Sequence, residues 1–107
     1  MSKCVNLVVL LPNKKYQAGY RFELSTKKKW EEKGFYVIRA AGSHGKADLV
    51  AIKINPPKYT EVYLIQCKTK GKISLQDRKE LALLADSLGA VGVLSYKDER
   101  VYKEVWL

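Results

Sequence analysis

Cysteine and histidine are scarce in this chain, whose 107 residues include two cysteines and one histidine. Cys4 and Cys67 lie in separate apolar runs, without a CxxC partner or a histidine at zinc-ligand spacing. This pattern excludes a CxxC redox motif, a Cys/His zinc site and a disulfide-rich scaffold. We expect two reduced, packed thiols in a cytoplasmic protein, and a disulfide between them is the less favoured alternative.

Long apolar runs are also missing. The longest, residues 5–11, is interrupted by Asn6 and is far shorter than the roughly 20 residues that a helix needs to cross a bilayer. It lacks the small-residue cleavage site of a secretory signal, and the sequence contains no internal repeats or low-complexity linker. We therefore predict one domain over residues 1–107, with no membrane segment.

Acidic residues are few, since 11 Asp and Glu stand against 20 Lys and Arg and give a formal net charge of +9. In a chain this short, such an excess indicates a polyanionic partner. Nucleic acid is the first candidate because each neutralised phosphate releases condensed counterions and adds affinity. A basic surface that serves only solubility is the alternative.

Apolar patterning predicts alternating strands and helices. Runs rich in β-branched residues and bounded by Gly, Pro or charged turns indicate strands, and apolar residues at three- and four-residue steps indicate helices. Strands are predicted over residues 4–11, 35–40, 47–54, 62–68, 91–96 and 101–106, helices over 16–33 and 74–88, and a charged turn over 97–100. This order, β-α-β-β-β-α-β-β, predicts an α/β fold with helices flanking a mixed sheet and the strand over 62–68 near its centre.

Polar side chains gather at the ends of two predicted strands. Gln66 and Lys68 are two residues apart, so they project from the same face of their strand. If the strands over 47–54 and 62–68 pair as a hairpin, Asp48 lies beside them. Carboxylate and amide oxygens suit Mg²⁺, and a lysine can help to deprotonate the attacking water and neutralise developing charge. The three residues therefore predict a metal-dependent site for phosphodiester hydrolysis.

Other residues add to this predicted site. Glu23, on the first helix, would be a second anionic ligand, and the backbone carbonyl of Cys67 a further neutral one. Ser43 and His44, on the turn before Asp48, can reach a phosphate oxygen.

Each candidate also has a purely structural explanation. Asp48 can close the preceding turn, and Glu23 can be a solvated or salt-bridged helix residue. Gln66 can be a polar strand end and Lys68 part of a solvated edge, while His44 has no partner that makes it a convincing ligand or base. Taken singly, these explanations are favoured, but together they require an Asp and a Gln-x-Lys to face each other by accident.

Several segments carry a family resemblance: Gly19-Tyr-Arg-Phe-Glu23, Gly34-Phe-Tyr-Val-Ile-Arg39, Gly42-Ser43, Asp48-Leu-Val-Ala-Ile52 and the strand end at Lys68. In order and spacing, over residues 18–96, they resemble the archaeal-type Holliday junction resolvases of the PD-(D/E)XK nuclease superfamily. The resemblance implies a restriction-endonuclease-like core and a Mg²⁺-dependent homodimer, with Mn²⁺ as a substitute metal. It also implies paired cuts in four-way DNA junctions.

Residue roles follow from the same resemblance. Glu23 corresponds to the helix-borne acid, Ser43 to the turn serine, Asp48 to the metal aspartate and Lys68 to the catalytic lysine. DNA contacts are expected from Arg21, Arg39, His44, Lys46, Lys70, Lys72 and Gln76.

Two features depart from the family pattern. Gln66 stands where the family has a second strand acid. The missing negative charge predicts weaker metal binding, and it favours one bound metal ion over two. The strand over 4–11 precedes the helix where relatives have a short basic arm. The alternatives are therefore a DNA-binding protein of this fold that has lost catalysis, and a nuclease for other duplex or branched DNA.

Overall fold

The computed structural model describes residues 14–40, 47–55, 59–69 and 73–107. Its elements are α1 (Lys14–Glu32), β1 (Tyr36–Arg39), β2 (Leu49–Asn55), β3 (Tyr59–Lys68), α2 (Leu75–Ser87), β4 (Val91–Asp98) and β5 (Val101–Trp106). The strand predicted over residues 4–11 lies outside the described residues. Every other predicted element is present, with ends shifted by a few residues.

All five strands form one mixed sheet, in the order β1-β2-β3-β4-β5. Neighbouring strands are antiparallel, except that β3 and β4 run parallel and are joined through α2. β3 is therefore the central strand, as its nearly continuous apolar sequence predicts. The fold class is confirmed as α/β, a mixed sheet flanked by helices.

The two helices cover opposite faces of the sheet. Tyr63 and Ile65 of β3 pack with Trp30 of α1, whereas Leu64 packs with Leu81 of α2. Because successive side chains of a strand point to opposite faces, α1 and α2 lie on different sides. We call these sides the α1 face and the α2 face.

Both helices begin and end where their sequences favour it. α1 buries Phe22, Thr26 and Trp30 at four-residue steps, so one stripe of the helix faces the sheet. The Ser74 hydroxyl accepts the N–H of Asp77 at 3.1 Å and caps α2 as predicted. Neither helix of the described chain is long and apolar enough to cross a membrane.

The β4–β5 connection is tighter than predicted. β4 continues through Asp98, so the predicted turn over 97–100 was wrong in length and only Glu99 and Arg100 form it. Both have positive φ, 51° and 71°, as a two-residue hairpin loop matching the twist of its strands requires. Sequence patterning missed this because the turn contains neither the Asn nor the Gly that usually marks it.

Candidate active site

Asp48 lies where β2 begins and is tied to both neighbouring strands. Its N–H donates to the Ile65 carbonyl at 2.8 Å, and its own carbonyl accepts from the N–H of Ala40 at 2.9 Å. The side chain adds a third link because its Oδ2 accepts the N–H of Cys67 at 2.7 Å. These bonds fix the carboxylate beside the end of β3.

Gln66 and Lys68 lie on the α2 face at the end of β3. They alternate with Cys67 and share the orientation of Leu64, which packs under α2. Lys68 is close enough to Asp48 for its positive charge to oppose the rise in the pKa of that carboxyl. The β2–β3 pairing thus brings Asp48 to the Gln-x-Lys end of β3, in the arrangement that the sequence predicted.

Glu23 approaches from α1 and is paired with an arginine. Arg39, the last residue of β1, donates from Nε to Glu23 Oε1 at 2.9 Å. Its guanidinium also lies over the ring of Tyr20, 4.6 Å from the centroid. Glu23 is therefore salt-bridged, as its structural explanation held, and Arg39 lies within the candidate site itself.

Burial raises the pKa of both carboxyls above their ordinary values. For Glu23 the negative charge of Asp48 adds to the effect of burial, and the hydrogen bond from Arg39 opposes it. For Asp48 burial again dominates, while the Cys67 N–H and the charges of Lys68 and Arg39 oppose it. Two desolvated acids that repel each other are stabilised by a cation placed between them.

The Cys67 side chain points to the α1 face of the sheet, beside the candidate site. Its thiol packs against the aromatic core near Thr26. Burial raises the pKa of the thiol, which keeps it protonated and unreactive. Cys67 is not in a disulfide, as expected, and Cys4 lies outside the described residues.

Of the remaining predicted site residues, Arg21 and Gln76 lie in the described part of the chain. Arg21 is exposed on α1. Gln76 lies in the first turn of α2, where its Nε2 donates to Glu80 Oε2 at 2.9 Å. Outside the described residues are Ser43, His44, Lys46, Lys70 and Lys72.

Tyr20 is the participant that sequence reasoning missed. It lies three residues before Glu23, and residues at that spacing are neighbours on a helix surface. Its ring supports the guanidinium that in turn holds Glu23. The spacing was a usable signal, but it identifies Tyr20 only once Arg39 is known to reach α1.

A single hard metal ion fits the donors present. Within the described ranges, no three His, Cys, Asp or Glu side chains gather closely enough to hold a metal. Glu23 and Asp48 would supply carboxylate oxygens to such an ion, and Gln66 would add an amide oxygen. A set of two acids and one amide suits Mg²⁺, which usually keeps several water ligands.

A mixed sheet with flanking helices, and acidic and basic side chains gathered at the end of its central strand, defines a small α/β protein with one polar site. The chain belongs to the archaeal Holliday junction resolvase (Hjc) family, whose model matches residues 14–106.

Known proteins that are similar to it include the following two. A protein of Methanocaldococcus jannaschii named crossover junction endodeoxyribonuclease Hjc is 36% identical over 87 residues, covering 78% of this chain and 61% of that protein. The chain thus spans about three fifths of that relative's length. The structure of Hjc from Archaeoglobus fulgidus, described as a Holliday junction resolvase, has a TM-score of 0.61 and 25% identity, covering 80% of this chain and 70% of that one.

Proposed function

We propose that this protein is a metal-dependent DNA endonuclease that resolves four-way junctions by paired nicks and acts as a homodimer. The convergence of Glu23, Asp48 and Lys68 at one end of the sheet carries this proposal. Membership of the resolvase family and a net charge of +9 support DNA as the partner. Such a protein would work inside the cell, where the DNA is.

Each residue of the cluster has a role in the proposed reaction. Asp48, Glu23 and Gln66 would hold Mg²⁺, with Gln66 replacing the acid of the PD-(D/E)XK pattern. When bound, the ion supplies charge stabilisation at the phosphate and lowers the pKa of a bound water.

The protein's own groups then orient the reactants. The Cys67 N–H donates to Oδ2 of Asp48, which fixes the orientation of the carboxylate that would help to hold the metal. Lys68 orients the attacking water, helps to remove its proton and neutralises charge that develops on the phosphate. Arg39 holds Glu23 in position through its Nε, and its remaining N–H groups are donors for a phosphate oxygen.

An uncovered apolar area on the α2 face supports the homodimer. Tyr36, Ile38 and Ile54 of the first two strands are 71%, 44% and 67% exposed. Side chains of this kind clustered on one sheet face usually mark an interaction surface. A second copy related by a two-fold axis is the commonest way to cover such a surface, and it would present two sites to a branched substrate.

A catalytically impaired DNA-binding protein is the second candidate. Gln66 favours it because, among the described residues, the carboxylates placed at the candidate site are those of Glu23 and Asp48, and no three possible ligands cluster. A deficit of one negative charge would weaken metal binding while leaving the basic surface intact.

An assay on a labelled four-way junction separates these candidates. Junction and linear duplex of the same sequence are incubated with Mg²⁺ or Mn²⁺, and strand nicks are resolved on a denaturing gel. Paired nicks in the junction support the resolvase, and equal nicking of linear duplex indicates a nuclease for other DNA. Binding without nicks in either metal favours the impaired protein, and a Gln66→Glu variant that gains nicking would attribute the impairment to that amide.

Removing the charge of Asp48 tests the metal site without catalysis. Because burial raises the pKa of this carboxyl, its ionisation destabilises the metal-free fold as pH rises through the folded-state pKa. We therefore expect Asp48→Asn to be more stable than the wild type at neutral pH. The difference should vanish as pH falls below the ordinary pKa of aspartic acid, about 4.

Magnesium supplies the matching control. Mg²⁺ should raise the melting temperature of the wild type and leave that of Asp48→Asn unchanged, because a ligand stabilises only the fold that binds it. Equal shifts in both proteins, measured by circular dichroism, would show that the metal binds elsewhere.

A further inference from the structure

Four lysines of the α1 face have their ammonium groups over aromatic rings. Measured from Nζ to the ring centroid, the pairs are Lys29–Tyr102 at 4.9 Å, Lys33–Trp30 at 5.4 Å, Lys53–Phe35 at 5.5 Å and Lys97–Phe22 at 5.5 Å. Such contacts hold a flexible lysine in a restricted set of positions. We call these four residues the α1 lysine surface.

Two of these lysines, Lys29 and Lys97, lie where α1 borders β4 and β5. Lys97 and Tyr102 are cross-strand partners, so both project from the same face of the sheet. The Tyr102 ring lies 6.0 Å from that of Phe22 on α1, with Lys29 over one ring and Lys97 over the other. This ring pair is therefore flanked by two positive charges.

The other two lysines lie around the end of α1. Lys29 lies in the last turn of α1, and Lys33 directly follows the helix, with its ammonium group over Trp30. Lys53 lies two residues after buried Ala51, so it shares the α1 face of β2. Its ammonium group lies over Phe35, whose ring is 4.9 Å from that of Trp30. A second aromatic pair thus carries two more ammonium groups.

None of the four has an ion-pair partner within the described part of the chain. Other lysines differ in this respect, because Lys27 pairs with Glu31 at 2.7 Å and Lys103 with Asp98 at 2.9 Å. The α1 lysine surface therefore presents positive charge that is not taken up in ion pairs within the described chain, although Glu104 lies on the same face and accepts a hydrogen bond from Tyr102. The surface is complementary to a polyanion.

The surface starts at the candidate active site and leads away from it. Lys97 directly follows Tyr96, the cross-strand partner of Lys68. From Phe22 to Trp30 the helix advances about 12 Å. At roughly 3.4 Å per base pair, that length matches about four base pairs of one duplex arm.

We propose that the α1 lysine surface binds the phosphate backbone of a duplex DNA arm that extends from the candidate active site. This inference rests on the proposed function and adds to it a contact surface outside the site and outside the DNA-binding residues that the sequence predicted. Lysines already held over rings lose less conformational freedom when they meet phosphates. Contacts of this kind fix the orientation of a duplex without selecting its sequence.

Salt dependence of DNA binding tests the proposal. The variants are Lys29→Gln with Lys97→Gln, Lys33→Gln with Lys53→Gln, and a control, Lys27→Gln with Lys103→Gln, which removes the same charge from ion-paired positions. Affinity for a long-armed four-way junction is measured in metal-free buffer over a range of salt concentrations. Each test pair should reduce the slope of log affinity against log salt by about 1.8, since one phosphate contact contributes about 0.9, and the control should leave the slope close to that of the wild type.

A second measurement uses the unmodified protein and does not depend on how the variants fold. Lysines are acetylated with an amine-selective reagent in the absence and presence of the junction, and the modified positions are read by mass spectrometry. The junction should protect all four surface lysines, and the protection of Lys27 and Lys103 should be smaller.

Specific results of these two experiments would overturn the proposal. Equal slopes in all three double variants, or equal labelling with and without DNA, would overturn it while leaving the proposed nuclease intact, because the wild type still binds and nicks the junction. A wild type that binds no DNA would contradict the proposed function and this inference together.

Discussion

The α1 face of the sheet carries an aromatic core with lysines around it, whereas the α2 face carries a small aliphatic core with apolar side chains left exposed. Under α1, Trp30 and Tyr63 are buried and their rings lie 5.2 Å apart. Under α2, Leu81 is fully buried, yet Leu84 of the same helix and Leu88, its C-cap residue, are 39% and 62% exposed. Within the described residues, the α1 face completes its core, and the α2 face leaves apolar side chains exposed.

This difference shows how the candidate site is assembled. Glu23 and Arg39 come from the α1 face, and Gln66 and Lys68 from the α2 face, with Asp48 tied to the strand end between them. The Glu23 carboxylate is thus positioned by the aromatic core of the α1 face. Lys68 lies on the α2 face, which we propose to be covered by a second copy. Substitutions on the two faces should therefore affect different properties.

Lys68→Ala should have the largest effect, and the effect should be limited to the rate of strand cleavage. Without the ammonium group, the single-turnover nicking rate of a four-way junction should fall about 10²–10⁴-fold, the usual contribution of a proton-transfer group. Junction affinity should change little because the chain keeps 19 of its 20 Lys and Arg residues for phosphate contacts. Lys79→Ala, at an exposed position of α2, is the matched control and should nick normally. Wild-type cleavage by Lys68→Ala would remove this lysine from the mechanism.

Core truncations compare the contribution of the two faces to stability. Trp30→Ala should cost about 3–5 kcal/mol of unfolding free energy because it empties the centre of the aromatic core. Leu81→Ala should cost about 2–3 kcal/mol, toward the low end for leucine, because its half-exposed neighbours can relax into the space. Urea denaturation of both variants measures the difference. An equal or larger loss for Leu81→Ala would contradict the ranking.

Ile38→Glu should weaken self-association and leave the monomer folded. A charge in the apolar area that we propose to be buried by a second copy is costly, so the dimer dissociation constant should rise at least about tenfold, equivalent to about 1.4 kcal/mol. Val101→Glu makes the same change on the opposite terminal strand at similar exposure, 54% against 44%, and should dimerise like the wild type. Sedimentation equilibrium compares them, and equal association of all three proteins would exclude this part of the sheet as the interface.

Much of the fold was predictable because its periodicities are clear. The central position of β3 follows from its apolar run, and the start of α2 from Ser74 and Asp77, since both depend on local chemistry. The β2–β3 hairpin was enough to bring Asp48 to Lys68. These predictions needed only residues that are close in sequence or on neighbouring strands.

The contacts of Glu23 could not be predicted in the same way. Its partner Arg39 is 16 residues away, and pairing them requires the angle at which α1 crosses the sheet, which no local pattern contains. The same holds for Tyr20, whose ring has no function visible in the sequence until that arginine lies over it. Arg39 was therefore expected as a DNA contact and not as the partner of a carboxylate.

Substitutions in the β4–β5 turn should have the smallest effect. They also test how far the two faces of the sheet act independently. Glu99 and Arg100 both adopt positive φ, a conformation that costs a residue with a Cβ atom roughly 1–2 kcal/mol. Asn and Gly accept it more readily and are the usual residues of such loops. Glu99→Asn with Arg100→Gly should therefore stabilise the fold by about 1 kcal/mol, or roughly 4–8 °C in melting temperature for a domain of this size.

Net charge is unchanged in this double variant because one acid and one base are lost together. Replacing both residues by alanine is the control, which leaves a Cβ atom at each positive φ and should give no comparable gain. The hairpin places Lys97 and Tyr102 on the α1 face, but Glu99 and Arg100 are themselves exposed. The melting temperature should thus rise, while the nicking rate and the slope of log affinity against log salt stay at wild-type values. A changed slope would mean that the turn also sets the position of Lys97. The α1 face would then extend to the edge of the sheet.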